Sequence, residues 1–201
     1  MEKRTFVPDK KIYSDTINQL VENDKITECI AVRLGCELGI SRLEIVNAKV
    51  TDVDKINKRG LDISVSKRVR RGSKKINGEK KPYFEMRIRE IPINRDLYQL
   101  LKIYMKQSGI YILQRERGDD TKSFHVDMID KMYYANDIPW SSHKSRHFFK
   151  KQVWSWMMKN RRPDTALLKE LMGHKKDTHE NYGDYSWDYK LEVLDGTFGG
   201  D

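Results

Sequence analysis

Cysteine is nearly absent from this chain, with two in 201 residues, Cys29 and Cys36. Their spacing puts them on one face of a helix, roughly 10 Å apart at about 1.5 Å rise per residue. That is too far for a disulfide, so they read as buried thiols in a reducing, cytoplasmic setting. Long apolar runs are missing as well. No stretch approaches the roughly 18 apolar residues that a membrane span needs, and the opening MEKRTFVPDKK has no apolar core, which excludes a secretory signal there. Glycine and proline, 12 and 5 residues, are too sparse for collagen-like or mucin-like chains. Aromatic residues are not lacking. Four Trp, ten Tyr and six Phe can build a core, which argues against disorder. The length suits one domain with at most a small appendage.

Charge is present in excess and is unevenly placed. The chain carries 39 Lys+Arg against 30 Asp+Glu, a net of +9. Between Lys55 and Arg95, 14 basic residues face 4 acidic ones, so this one segment holds a net +10. A second cluster from His143 to Arg162 has seven Lys/Arg and no acid, whereas Lys176 to Asp201 has two Lys and seven acids. Basic charge concentrated in this way is the footprint of a polyanion partner, most often nucleic acid.

Apolar periodicity organises the rest. Ile17, Leu20 and Val21 predict a helix over 14–23, and Asp24 can cap a second one reaching about Gly35. Ser41 and Glu44 form a capping box that opens a third helix. The period then changes to two. Residues 61–66 and 83–93 alternate as strands, joined by a long basic hairpin from Lys67 to Pro82. Pro92 belongs at the edge of a small sheet. Asn94 caps a helix to about Gln107, and further helices are expected over 125–136 and 143–158. Asp164 caps a helix over 165–172 that Gly173 stops, Asp177 or Thr178 opens a short one toward Tyr185, and a last weak one covers 187–194.

Singly, the chemistry-bearing residues say little. In order they say more. Arg42 stands at a helix start, and a Lys- and Arg-rich hairpin follows. Then come His143 and Arg146 at another helix start, Gly173-His174, and Tyr182 eight residues on. This set suits attack of a tyrosine on a phosphodiester. Two arginines neutralise the non-bridging oxygens, histidines exchange protons with the phosphate or the nucleophile, and a lysine protonates the leaving oxygen. A tyrosine with an ordinary pKa of about 10 needs such a cationic pocket or a base to act.

The residues that carry a resemblance are Gly39-Ile-Ser-Arg42-Leu-Glu44-Ile, the hairpin ending Arg89-Glu-Ile-Pro92-Ile, Ser142-His143-Lys-Ser-Arg146-His147, and Leu171-Met-Gly173-His174 with Tyr182. Over residues 10–186 the chain resembles the catalytic domain of the tyrosine recombinases, the phage integrase family. The resemblance implies an α+β, mainly helical fold with a small antiparallel hairpin. Residues 1–186 would form the DNA breaking and rejoining domain, and 187–201 an acidic tail. It implies Tyr182 as nucleophile, Arg42 and Arg146 as activating arginines, His143 and His174 as acid/base and phosphate-binding groups, and a hairpin lysine as general acid. Lys67 is the first choice for that lysine, with Lys74 and Lys75 as alternatives. The reaction would leave a 3′-phosphotyrosyl link without metal or cofactor, followed by strand exchange on paired sites by a self-assembled dimer or tetramer.

The sequence departs from the family's pattern in two places. Glu44 lies two after Arg42 where three is usual, so an ungapped alignment puts Ser41 on the arginine position. Tyr182 lies eight after His174 where nine is common, and Tyr185 lies at eleven. Arg42 and Tyr182 are kept as the readings. Family members usually carry a clamping domain ahead of this one, for which the chain leaves almost no room. It therefore reads as a piece of a longer protein or as a minimal recombinase. Arg68, Arg70, Arg71, Lys74, Lys75, Lys144 and Lys150 are the expected contacts to double-stranded DNA, positioning it without reading its sequence. His147 reads as structural or as a support for Arg146. The acidic tail is either a disordered end or an arm that docks on a neighbouring protomer. A type IB topoisomerase and a non-catalytic DNA-binding accessory protein stay open as alternatives.

Overall fold

Asp9 starts the first helix of the chain, accepting from the Ile12 amide at 2.8 Å. Helix α1 therefore runs Lys10–Glu22, four residues earlier than its apolar pattern announces. The computed structural model describes residues 6–49, 53, 59–76, 79–105, 111–117, 120–123, 125–173 and 185–199; within the strands, 66–76, 79–85, 87, 114–117 and 120–123 are described by backbone alone. Helix α2, Ile26–Glu37, is apolar almost all round and lies at the centre, with Cys29 through Val32 and Leu34 through Glu37 buried. Asp24 does not cap it. Asp24 sits at φ +56° in the turn, and the helix begins after Lys25. Both cysteines are buried and free, and burial pushes the Cys29 thiol up to about 11.

Helix α3, Arg42–Asn47, follows the expected capping box. Strands β1, Gly60–Ile76, and β2, Glu79–Pro92, pair antiparallel, longer than the alternating patterns alone suggest. Their register sets Gly60 opposite Pro92 and Ile63 opposite Arg89. Leu61, Ile63, Val65 and Ile91 turn inward and are buried, while Met86 and Ile88 face out at 64% and 73% exposure. Pro92 ends β2 in this two-stranded sheet, where a missing N–H costs little. By the same parity Arg89 shares the inner face with Ile91, so a charge enters the interior and needs a partner there.

Helix α4, Arg95–Met105, is capped by Asn94, whose Oδ1 accepts from the Leu97 amide at 3.0 Å. A second hairpin of β3, Gln114–Arg117, and β4, Asp120–Ser123, has no counterpart in the sequence reading. Helices α5, Val126–Ala135, α6, Ser142–Lys159, and α7, Thr165–Leu171, fall where expected. Helix α6 packs across α2. Their approach is close at Gly35, where an added Cβ would lie 3.1 Å from that of Ser145. Ser145 Oγ also meets the Tyr133 hydroxyl at 2.9 Å and the Trp140 indole N–H at 3.1 Å.

The weak helix expected over 187–194 forms as helix α8, Trp187–Phe198, so the acidic tail is ordered and packs on α6 of its own chain. Val193, Leu194 and Thr197 are buried, and Phe198 stacks on Phe149 at 5.9 Å. Asp195 takes Arg59 at 2.8 and 2.7 Å and the Arg95 amide at 2.8 Å. Gly196 lies against the Trp156 indole, 2.3 Å from where a Cβ would stand. Among the described residues no helix is long and apolar enough to cross a membrane.

Candidate active site

The site grows from the turn before α3. Gly39 sits at φ +61° with the Phe149 ring 2.5 Å from the place of a Cβ, so only glycine fits. It delivers Ser41 as N-cap. The amide and hydroxyl of Ser41 both donate to Glu44 Oε2, at 2.7 and 2.6 Å. That carboxylate is only 1% exposed. Its other oxygen, Oε1, accepts from Arg89 Nη1 at 2.8 Å, and Arg146 Nη1 lies 3.5 Å from Oε2. Both arginines reach on to the end of α7. Arg89 Nη2 donates to the Leu171 carbonyl at 2.7 Å and Arg146 Nη2 to the Met172 carbonyl at 2.9 Å.

One buried carboxylate thus orders two guanidiniums, from β2 and from α6. It also fixes the turn at Gly173, which sits at φ +63° directly over the Arg89 guanidinium, 2.3 Å from a Cβ's place. The cluster keeps one positive charge more than Glu44 can offset. Burial pulls the Arg146 pKa down, Glu44 pushes it up and Arg89 pulls it down again, leaving it below the usual value. An arginine in that setting stays charged, and an anion beside it is favoured.

Arg146, at 18% exposure, faces a cleft of about 480 Å³ lined by Ser41, His143, Arg146, His147, Lys150 and Met172. His143, Arg146, His147 and Lys150 come from successive turns of α6. His143 and His147 stand four apart, so their rings meet edge-on at 4.9 Å, with Nε2 to Nε2 at 3.2 Å. Burial, then His143, Lys144, Lys150 and Arg146, hold the His147 pKa below the ordinary imidazole value. Among the described residues no group of three or more His, Cys, Asp or Glu side chains could hold a metal ion.

Of the residues singled out by sequence, the structure brings His143, Arg146 and Lys150 to one cleft. Arg42 is not among the residues lining it. As first residue of α3 it leaves the helix toward α5 and pairs with Asp130, whose other oxygen accepts from Ser142 Oγ at 2.5 Å. Its neighbour Ser41 takes the cleft wall instead. Lys144 lies on α6 beside the cleft without lining it. Lys67, Arg68, Arg70, Arg71, Lys74 and Lys75 fall on β1, where the backbone alone is described and its register sets position 67 opposite position 85. His174 and Tyr182 lie outside the described residues, as do His179 and the short helix expected toward Tyr185. Tyr185 is described. Burial and a hydrogen bond with Asp164 push its hydroxyl up to about 12.

Arg89 and Ser41 carry no site role in the sequence pattern, and His147 is expected there as structural or as a support for Arg146. Arg89 could be found from strand parity, since it falls on the inner face with Ile91. Ser41 could be found from the capping box, and His147 from its four-residue spacing to His143.

By sequence, the chain matches no family model and no curated protein. By structure, it is similar to the crystal structure of XerA recombinase, with a TM-score of 0.56 and 16% identity over 97% of this chain and 65% of that one. It is also similar to the Tn1549 transposon integrase in complex with transposon right end DNA, at TM-score 0.56 and 16% identity, over 96% of this chain and 62% of that one. This chain spans less than two thirds of either. At that identity the likeness is one of fold: a tyrosine-recombinase-like fold, mainly helical with a small antiparallel sheet.

Proposed function

We propose that this chain cuts and rejoins DNA strands through a transient link to Tyr182, acting as a site-specific recombinase of the integrase type. The observation that carries the reading is the cleft at the start of α6, where His143, Arg146 and Lys150 converge on one face of a recombinase-like fold. Its other support is the segment from Lys55 to Arg95, 14 basic residues against 4 acidic, which provides the charge a DNA backbone requires. The DNA in the integrase complex belongs to that relative; for this chain it is part of the proposal.

In the proposed reaction the Tyr182 oxygen forms a bond to the scissile phosphorus and the bond from phosphorus to O5′ breaks. Arg146 neutralises the non-bridging oxygens and His143 donates to or accepts from the same centre. The departing O5′ takes a proton from a hairpin lysine, Lys67 by preference, and His174 completes the set. Arg42 would join only after leaving Asp130. Assembly on paired sites accompanies strand exchange.

The test is incubation with nicked, phosphorothiolate-bearing duplexes followed by a denaturing gel. A covalent adduct that disappears in Tyr182→Phe supports the reading, and one that needs Tyr185 instead overturns the choice of nucleophile. Relaxation of supercoiled plasmid without any recombinant product would move the chain to the topoisomerase reading.

A further inference from the structure

The cleft has an imbalance that the roles above leave unused. Of the six described residues that line it, Arg146 and Lys150 are cations, Ser41 and Met172 are neutral, and His143 and His147 are the two that can take up a proton near neutrality. Among the described residues no carboxylate lines it. From α3, Glu44 is turned to Ser41, Arg89 and Arg146. From the end of α7, the Met172 carbonyl is taken by Arg146. Among the described residues, the charged and titratable groups that face His147 are His143, Lys144, Arg146 and Lys150 of its own helix.

The two imidazoles touch through like atoms, Nε2 to Nε2 at 3.2 Å. Two lone pairs cannot face each other favourably at that distance, and neither can two N–H groups. The contact therefore holds a single proton, donated by one ring to the other. Adding one proton at an outer nitrogen preserves that bond and lets the charge move between the rings. Adding a second drives two N–H groups together among three other cations. Such a pair takes up one proton and resists a second, and it titrates as a unit.

We propose that His147 is the proton partner of His143, and that the pair is the proton reservoir of the cleft. The inference rests on the strand-cleavage reading. On cleavage the nucleophile's O–H proton passes to an imidazole nitrogen of the pair as the oxygen-to-phosphorus bond forms. The phosphorus-to-O5′ bond breaks and O5′ is protonated by a separate acid. On rejoining, each transfer runs backward and the pair returns its proton to the freed tyrosine. His147 acts here through His143, as a positioning residue that shares its charge.

Two measurements test this. The first is a ring-resolved NMR titration of the free protein. His147 should titrate in two coupled steps, and in His143→Gln it should titrate in one. A single step, identical in both proteins, overturns the proposal without reference to DNA. The second is the pH profile of adduct formation by His147→Gln, which can still donate a hydrogen bond but cannot carry the proton. The rate should fall on the order of tenfold near neutral pH with DNA affinity unchanged. A wild-type profile in that variant also overturns the proposal. If the wild-type protein forms no adduct while the rings titrate together, the cleavage reading fails and the proton-sharing pair stands without its catalytic role.

Discussion

Replacing Glu44 with glutamine should unsettle the whole site from one atom. The wild-type carboxylate, 1% exposed, meets donors on every side: the Ser41 amide and hydroxyl, Arg89 at 2.8 Å and Arg146 at 3.5 Å. Glutamine keeps the shape but exchanges one acceptor oxygen for an NH2 group. That group must then point at a guanidinium or at Ser41, donor against donor, and the negative charge that offsets two arginines is gone. Removing one partner of a buried pair costs roughly 3–5 kcal/mol. The arginines keep carbonyl partners at Leu171 and Met172, so the lower end, about 3 kcal/mol, applies. For a chain of this size each kcal/mol lowers Tm by about 2–4 °C, which gives a drop of roughly 6–12 °C. Thermal melting followed by circular dichroism measures it. The double mutant Glu44→Gln/Arg89→Met should lose less than the sum of the singles, because the orphaned charge is then removed. Melting of Glu44→Gln within about 2 °C of wild type, or additive losses, would refute the account of Glu44 as the organiser.

Other outcomes follow from the same geometry. Arg146→Ala should lower adduct formation by about 10²–10³-fold, whereas Arg42→Ala, whose side chain is occupied by Asp130, should cost less than about tenfold; equal losses would place Arg42 in the site after all. Gly173→Ala combines φ +63° with a clash against the Arg89 guanidinium and should cost at least about 1–3 kcal/mol by urea unfolding. Burial pushes the Asp195 pKa up, but the Arg59 hydrogen bond, the Arg95 amide and both arginine charges outweigh it, so it lies below the usual carboxylate range. A depressed carboxylate contributes stability that is present above its unfolded pKa and lost as pH falls through the folded value. Docking of α8 should thus hold at neutral pH and loosen below about pH 4; hydrogen exchange in 187–198 reads this, and Asp195→Asn should show the loosened pattern already at pH 7.

Much of the fold was legible because its signals are local. The Ser41–Glu44 box, the Asn94 cap and the Asp164 cap each involve residues two or three apart, and each helix starts where its cap stands. Helix α1 starts ahead of its apolar pattern because its cap is Asp9, whereas Ile17, Leu20 and Val21 lie in its later turns. Strands β3 and β4 carry QRER and DTKS, which alternate nothing apolar and leave no period to read. In the site, His143 and Arg146 were found by spacing along one helix. Arg89 was not, because its bond to Glu44 joins residues 45 apart and depends on strand register and on α3 packing beneath it. At the start of α3 the cap residue Ser41 lines the cleft and the residue after it, Arg42, turns toward α5 and pairs with Asp130, a difference of side that spacing along the chain does not carry.

The central claim is that this cleft serves a tyrosine that bonds covalently to DNA. The most direct measurement is mass spectrometry of the chain after incubation with a randomised pool of nicked phosphorothiolate duplexes. The account predicts a nucleotide-bearing peptide modified at Tyr182, present in wild type and lost in Arg146→Ala. Modification at another residue, or an unmodified chain under conditions where it binds the same duplexes, would contradict it.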